Sequence, residues 1–432
     1  MRGWRSWCAV GLVAAMGFPG AAWAGVEVDL LLDKLVEKGV LTHQEASDLR
    51  GEMAEFKDAG NKQLAKEIVP RWAQSLTISG DMRLRSEHFW RDQTTSATKT
   101  RNRSRGRLRV GAKAKVSDQL EAGFRIATGT NTDPISTNQS ASDSFDKKDV
   151  FIDQAYLKVT TVGTPLEAMP LTAWGGKFEN PFYGTPMVWD GDLTFEGAAV
   201  SLAAAAGPVK GFLAGGVFPL EELGANGGDP TLWGGQGGAT WAVAPGAEAE
   251  WLNALTLKGA VGYYDYANLE NGVDVHESSA FGNTGTVSGA SAPFRFVPRN
   301  DYDYNELNVT GEANTKLVGL PIRLHGDYVK NVAIADDDEG FQLGFKVGTA
   351  DKPMAWEAGY SYQRLESDAV FGLFADSDFG ASGGTDRSGH VYYATLGTLN
   401  NSTLGFKWFV TEEIDGTDAG VDRLQVDWLT KF

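Results

Sequence analysis

From Ser75 to the end of the chain, apolar and polar residues alternate with a period of two. Over residues 105–116, Leu108, Val110, Ala112, Ala114 and Val116 alternate with Arg105, Arg107, Arg109, Gly111, Lys113 and Lys115. Such a period sends successive side chains to opposite faces of a β-strand, so one face here is apolar and the other cationic. The pattern returns in Leu255, Leu257, Gly259, Val261 and Tyr263, in Phe341, Leu343, Phe345 and Val347, and in Trp356, Ala358, Tyr360 and Tyr362. It returns again in Leu404, Phe406, Trp408 and Val410, and closes the chain in Leu424, Val426, Trp428, Thr430 and Phe432. Read this way, the chain predicts sixteen strands, near 75–87, 105–116, 120–127, 149–160, 169–177, 193–205, 209–217, 233–244, 252–264, 302–314, 321–330, 340–348, 354–365, 388–396, 402–412 and 421–432.

Alternation alone does not say which face meets water, because a half-buried strand of a soluble sandwich reads the same way. The connections distinguish the two. A turn at Ser117–Gln119 is short, whereas the segment after the next strand is a polar loop reaching about residue 148. Short turns alternating with long loops are the arrangement of outer-membrane barrels, with aromatic residues near strand ends anchoring at the lipid headgroups. The predicted fold is therefore all-β, an antiparallel transmembrane β-barrel of about sixteen strands over residues 73–432. A barrel of that size leaves an aqueous channel, and an even strand count returns both of its ends to the periplasmic side.

Ahead of the barrel the period is helical. Val28, Leu31, Leu32, Leu35 and Val36 share one face, and Gly39 is a C-terminal stop. Thr42 and Glu45 form a capping box that starts a second helix, along which Ala46, Leu49, Met53 and Phe56 repeat at coiled-coil spacing. The segment 25–72 is read as a periplasmic helical leader: a coiled coil, a hairpin folded on itself, or a plug in the barrel mouth.

Residues 1–24 carry Arg2 and Arg5, an apolar stretch, and a closing Ala22-Trp23-Ala24, the features of a secretory signal peptide cleaved before Gly25. Cys8 precedes the apolar stretch, so no lipoprotein anchor is read there. Loss of Arg2 and Arg5 takes the formal net charge from −17 to −19 and leaves a mature chain without cysteine. Disulfide frameworks and cysteine metal sites are thereby excluded. No mature segment has the long apolar run of a membrane-spanning helix, so a membrane location requires a closed barrel.

The stretch GKFENPFYGTPMVWDGDLTFEGAAVSL, Gly176–Leu202, resembles the corresponding region of the putative porin family of Gram-negative bacterial outer membranes. There a strand ends in Gly-Lys or Gly-Arg, an Asn-Pro-Phe turn follows, and Trp-Asp precedes the next strand. The leader segment LLDKLVEKGVLTHQEASDLR is similar to the periplasmic leader of that family. The resemblance covers the whole mature chain and implies a porin, either a general diffusion channel or one of unassigned solute preference. It also implies that the third long loop, about Phe178 to Gly191, folds into the barrel and narrows it.

Such a loop would bring Glu179, Asp190 and Asp192 toward the lumen, opposite a basic wall of Arg83, Arg85, Arg105, Arg107, Arg109, Lys113 and Arg125. A basic wall facing an acidic loop sets up a transverse field that sieves polar solutes. The competing reading pairs the arginines with carboxylates of neighbouring strands, such as Asp81 and Glu121. Pro181 and Pro186 keep the loop from pairing as a strand.

The five histidines have no metal-ligand spacing, no nucleophile motif accompanies His88 or His390, and the acidic run Asp336–Glu339 reads as a solvated turn. No catalytic residue, metal or cofactor is assigned, and no basic aromatic stripe points to nucleic acid. Expected partners are outer-membrane lipid and lipopolysaccharide, and the barrel assembly machinery through the strand ending at Phe432. A homotrimer and a cell-wall contact by the N-terminal helices are further arrangements open to this architecture. Two function classes remain: a passive diffusion channel, and a structural barrel tethered to the cell wall or a partner by its helices.

Overall fold

The computed structural model describes residues 33–34, 36–38, 42–51, 71–91, 100–162, 169–222, 228–243, 249, 251, 254–269, 281–288, 295–298, 303–415 and 420–432. The chain divides into two compact units, Met1–Gln74 and Ser75–Phe432. In the first unit, residues 43–51 are helical. The backbone N–H of Thr42 donates to Glu45 Oε2 at 2.8 Å and the Glu45 N–H donates to Thr42 Oγ1 at 3.2 Å, the reciprocal bonds of a capping box. Arg50 donates to Asp33 at 2.6 Å and so ties this helix to the helical residues before it. The proposed signal peptide, most of the first helix face, and Met53 and Phe56 lie outside the described residues.

The second unit is a single closed sheet. Its strands are β1 (Thr77–Arg91), β2 (Thr100–Lys115), β3 (Leu120–Thr128), β4 (Val150–Thr160), β5 (Leu171–Glu179), β6 (Thr194–Ala206), β7 (Val209–Pro219) and β8 (Thr231–Ala242). They continue as β9 (Thr256–Ala267), β10 (Asn305–Leu317), β11 (Leu320–Asn331), β12 (Glu339–Gly348), β13 (Trp356–Leu365), β14 (Arg387–Leu399), β15 (Ser402–Glu413) and β16 (Val421–Lys431). Each pairs antiparallel with its successor, and β16 pairs back with β1, placing Asp427 opposite Arg85. The seam is finished by Gly80 and Phe432, whose backbones exchange hydrogen bonds of 2.8 and 2.9 Å. Closure leaves no unpaired edge, which the hydrocarbon region of a bilayer requires.

All sixteen predicted strands are present among the described residues. Two of them sit about three residues later than the alternation suggests, at Thr256–Ala267 and Asn305–Leu317. The reason is tertiary: Tyr264 and Tyr266 are sealed against Trp189, Tyr304 and Phe371, and this packing carries the β9 ladder upward.

Burial is inverted relative to a soluble protein. Ile78, Ile152, Leu213 and Leu343 are at least 60% exposed, while Arg85, Glu87, Gln236, Asn308 and Arg423 on the inner face are at most 4% exposed. A large aliphatic side chain left in water forgoes about 1.5–3 kcal/mol, and here such residues cover the outer wall strand after strand. Lipid is the environment that removes this cost. Trp90, Trp233 and Tyr328 lie toward the long-loop ends of their strands, and Trp241, Trp356 and Trp428 toward the short-turn ends, all of them exposed. These rows match the two headgroup levels.

The candidate pore and its folded-in loops

Among the described residues, at least three long connections turn into the barrel. The expected one follows β5 and covers residues 180–193, slightly later than the predicted 178–191 because β5 stays paired through Glu179. It is anchored to the far wall by Asp327 on β11. One carboxylate oxygen accepts the Thr185 N–H and hydroxyl at 3.0 and 2.7 Å, and the other accepts Asn308 and Thr310 at 2.6 Å each. A buried carboxylate so fully hydrogen-bonded fixes whatever donates to it. Beside it, Gln236 on β8 exchanges hydrogen bonds with the Tyr183 backbone at 2.7 and 2.6 Å. The Phe182 ring drops over Gly234, where a Cβ would stand 2.5 Å from it.

The second inward loop, residues 366–386 between β13 and β14, was not singled out by the sequence. It carries Ala369, Val370, Phe371, Leu373, Ala375 and Phe379 at no more than 6% exposure. The Phe371 N–H donates to Glu306 of β10 at 2.8 Å, and Asp368 accepts the Tyr304 hydroxyl at 2.8 Å. Its signal was available: an apolar run, Val370-Phe371-Gly372-Leu373-Phe374, inside a connection that would otherwise be solvated. The two loops meet where the Asp190 N–H donates to the Phe374 carbonyl and the Ser377 N–H donates to Asp190 Oδ2, both at 2.8 Å. The third inward loop, residues 129–149, was read as simply polar. In it Ile135, Ser136, Thr137 and Asn138 are all buried.

Together the first two loops and the inner faces of β5–β13 form one apolar cluster, with Trp189 at 4.9 Å from Tyr264 and 5.1 Å from Phe195, both edge-to-face. This fills one side of the barrel. The opposite side, on β14–β16 and β1–β4, is charged, and β10–β13 carry the ion pairs Arg323–Glu312 and Lys346–Glu357 toward their short-turn ends.

The predicted basic residues lie on that charged side, and most are neutralised. Arg107 and Arg109 both reach Asp81, at 2.7 and 2.8 Å, and both reach Asp192 from the loop, at 3.2 and 3.1 Å. The two sequence readings, pairing within the wall and a basic wall facing an acidic loop, therefore coexist on the same guanidinium groups. Glu121, offered as a wall partner, instead accepts the Tyr156 hydroxyl at 3.3 Å. Arg85 pairs with Asp427 and Asp378 at 2.7 Å each, and Arg125 pairs with Asp153. Glu87, absent from the sequence-based set, holds Arg103 and Arg423. Arg83 donates to Asn138 Oδ1 at 2.7 Å and Arg105 to Ser136 Oγ at 3.3 Å. Lys113 is exposed on β2, near the short-turn end.

Of the three predicted loop carboxylates, Asp192 bridges Arg107 and Arg109, and Thr137 also donates to it, at 2.9 Å. Glu179 is the last residue of β5, is largely exposed, and lies 3.8 Å from Arg125. Asp190 departs from its expected place, being 7% exposed and turned into the seam between the two loops rather than toward the wall. Burial pushes its carboxyl well above the usual range, and the Asp376 and Asp192 carboxylates push the same way. Burial also opposes the charge of Asp378, but the Arg423 and Arg85 guanidiniums beside it hold its carboxyl well below the usual range.

Open space remains above and below this charged wall. A cavity of about 830 Å³ at the long-loop end is lined by Asp133, Ser136, Thr137, Asp153 and Phe374. Another of about 570 Å³ at the short-turn end is lined by Arg83, Glu357, Lys407, Asp427 and Lys431. Asn138 hydrogen-bonds to Arg83 of the lower lining and to Ser136 of the upper one.

A family model described as putative porin matches residues 90–297 and 301–432. No curated protein matches the sequence. Among solved structures, OprB of Pseudomonas putida is similar with a TM-score of 0.52 at 13% identity, covering 87% of this chain and 97% of that one. OmpF of Salmonella typhi, in complex with daunomycin, aligns with a TM-score of 0.45 at 11% identity, covering 83% and 97%. A mutant of the Rhodopseudomonas blastica porin aligns with a TM-score of 0.42 at 9% identity, covering 83% and 100%. The OprB likeness is one of fold, and with it the family and the closed, lipid-facing barrel are those of a channel rather than an enzyme. With its inverted burial, sixteen-stranded closure and a family match over most of its length, this chain belongs to the putative porin family, the passive diffusion channels of the Gram-negative outer membrane.

Proposed function

We propose that small hydrophilic solutes or ions pass along the charged side of the barrel, between the folded-in loops and the wall of β14–β16 and β1–β4. The observation that carries this reading is the division of the interior: the aromatic cluster occupies one side, the lower cavity borders charged and polar residues, and the upper cavity lies between Phe371, Leu373 and Phe374 of the cluster and Asp133, Thr137 and Asp153. The constriction in this reading is where Asp192 meets Arg107 and Arg109, whose ion pairs of 3.2 and 3.1 Å support it. Arg83, Arg85, Arg105, Lys113 and Arg125 line the path, which needs no catalysis and no cofactor. Glu179 belongs to its rim, and Asp190 acts by holding the two loops together. The test is single-channel recording of the purified mature protein in a planar bilayer. Steady ohmic steps are expected, and replacing Arg107 and Arg109 by alanine should change conductance or selectivity; unchanged values would remove the constriction from these residues.

In this reading residues 1–24 are removed on export, the 25–72 leader stays in the periplasm as a short coiled coil, and residues 73–432 form the barrel. Phe432 is presented to the assembly machinery, the outer rim contacts lipopolysaccharide, and three copies associate. The independent, capped helical unit also supports a second role, a tether to the cell wall. Deleting residues 25–72 separates the roles: a tether loses cell-wall association, and a channel continues to conduct.

A further inference from the structure

The charges of the inner wall fall into groups. Asp81 and Asp192 balance Arg107 and Arg109. Glu87, Asp378 and Asp427 balance Arg85, Arg103 and Arg423. Between these neutral groups stand Arg83 and Arg105. The register sets Arg83 opposite Arg107 and Arg105 opposite Arg85, so the two lie diagonally across the β1–β2 ladder. Among the described residues neither pairs with a carboxylate: Asp192 and Asp427, the acidic groups acting on Arg83, are bound to Arg107, Arg109 and Arg85.

Their polar contacts are few and neutral. Arg83 donates to Asn138 Oδ1 at 2.7 Å; Arg105 donates to the Asn138 carbonyl at 3.4 Å and to Ser136 Oγ at 3.3 Å. A guanidinium carries more N–H donors than this, and the Nε of each finds no acceptor. Asn138 and Ser136 are themselves buried and joined by a 3.2 Å hydrogen bond, so the acceptors that orient both arginines are fixed. Arg83 borders the lower cavity, together with Lys407 and Lys431.

We propose that Arg83 and Arg105 form an oxyanion-binding step in the lumen and make this acidic protein an anion-preferring channel whose solutes include small carboxylates and phosphates. Two uncompensated guanidiniums on one stretch of wall offer the planar, charge-assisted donors that such groups accept. The excess of acidic residues elsewhere in the chain does not oppose this, because a passing ion responds to the charges within a Debye length of its path. This inference rests on the channel reading above.

The experiment is the reversal potential of single channels in a potassium chloride gradient, for the mature protein and for a variant carrying Arg83→Gln and Arg105→Gln, with inorganic phosphate then added as the competing oxyanion. Barrel folding of both proteins is checked by heat-modifiable gel mobility. Expected are an anion-favouring potential and a chloride current that phosphate depresses. In the variant the anion-to-cation ratio should fall by up to about a hundredfold at low salt, because removal of two unit charges about 6 Å from an ion path in water lowers the anion about tenfold and raises the cation as much, and the phosphate effect should vanish. A conducting channel that prefers cations, or one whose selectivity and phosphate response survive both substitutions, overturns the inference and leaves the channel reading standing. Folded, inserted protein that never conducts overturns both.

Discussion

The two sides of the barrel interior are built on the same alternating strands but solve opposite problems. On β5–β13 the inward positions include Phe178, Phe195, Phe218, Leu232 and Tyr264, and with Tyr304 just before β10 they accept two loops into a close-packed aromatic cluster. On β14–β16 and β1–β4 the inward positions include Arg85, Glu87, Arg107, Arg423 and Asp427, and these are ordered by ion pairs rather than by packing. Packing is short-ranged and unforgiving of removed volume, whereas charge acts at a distance through water. The apolar side should therefore govern how firmly the loops are held, and the charged side what passes them.

Breaking the apolar side should give the largest effects. Trp189→Ala removes the ring that joins Phe182, Phe195 and Tyr264; loss of a buried aromatic costs about 3–5 kcal/mol. The expected result is a lower thermal transition by circular dichroism in detergent, together with noisy, larger conductance steps. Asp327→Ala comes next. It strands the Thr185, Asn308 and Thr310 donors, each unmet buried group costing about 1–3 kcal/mol, and should free the same loop while leaving the aromatic cluster in place. Protease susceptibility near Thr185 would register it.

Changes on the charged side should move selectivity more than stability. Asp192→Asn leaves Arg107 and Arg109 bound to Asp81, so the fold persists while one negative charge leaves the proposed constriction. The reversal potential should shift toward anions by up to about tenfold in permeability ratio, one charge about 6 Å away in water acting about threefold on the anion and as much, in the opposite sense, on the cation. The smallest effect expected is of pH on the seam between the loops. Asp190 and Asp376 have raised carboxyl pKa values, each through burial first and neighbouring carboxylates second. The folded seam thus binds protons more readily than the unfolded chain and is stabilised as pH falls through these raised values. Asp378 has the opposite sign, its contribution being lost only in stronger acid as pH falls through its depressed value. Brief current fluctuations should accordingly become rarer as the pH is lowered from the alkaline side through the raised values of Asp190 and Asp376.

The barrel was legible because each strand repeats one simple rule, apolar outward and polar inward, and the residues between strands mark the turns. The capping box at Thr42 and Glu45 was equally plain, being a local hydrogen-bond pattern. The interior was less so. Alternation places Arg107 on the inner face but says nothing of Asp192, which reaches it from a loop 85 residues away in sequence. The inward turn of residues 366–386 depends on contacts with β10, β11 and the other loop, and periodicity carries no information about such contacts. Asp190 and Asp192, two positions apart, were read alike, yet one binds the wall and the other the neighbouring loop. Even Tyr264 and Tyr266 extended a strand past its expected end through partners distant in the chain.

The central claim, that solutes follow the charged side and not the aromatic one, is tested most directly by thiol accessibility, since the expected mature chain is free of cysteine. Lys407→Cys on the charged side and Leu232→Cys in the apolar cluster would each be exposed to a bulky, water-soluble anionic thiol reagent during single-channel recording. The account predicts a stepwise fall in current for the Lys407→Cys channel and an unmodified current for Leu232→Cys. Block through Leu232→Cys with none through Lys407→Cys would place the path on the other side and contradict it.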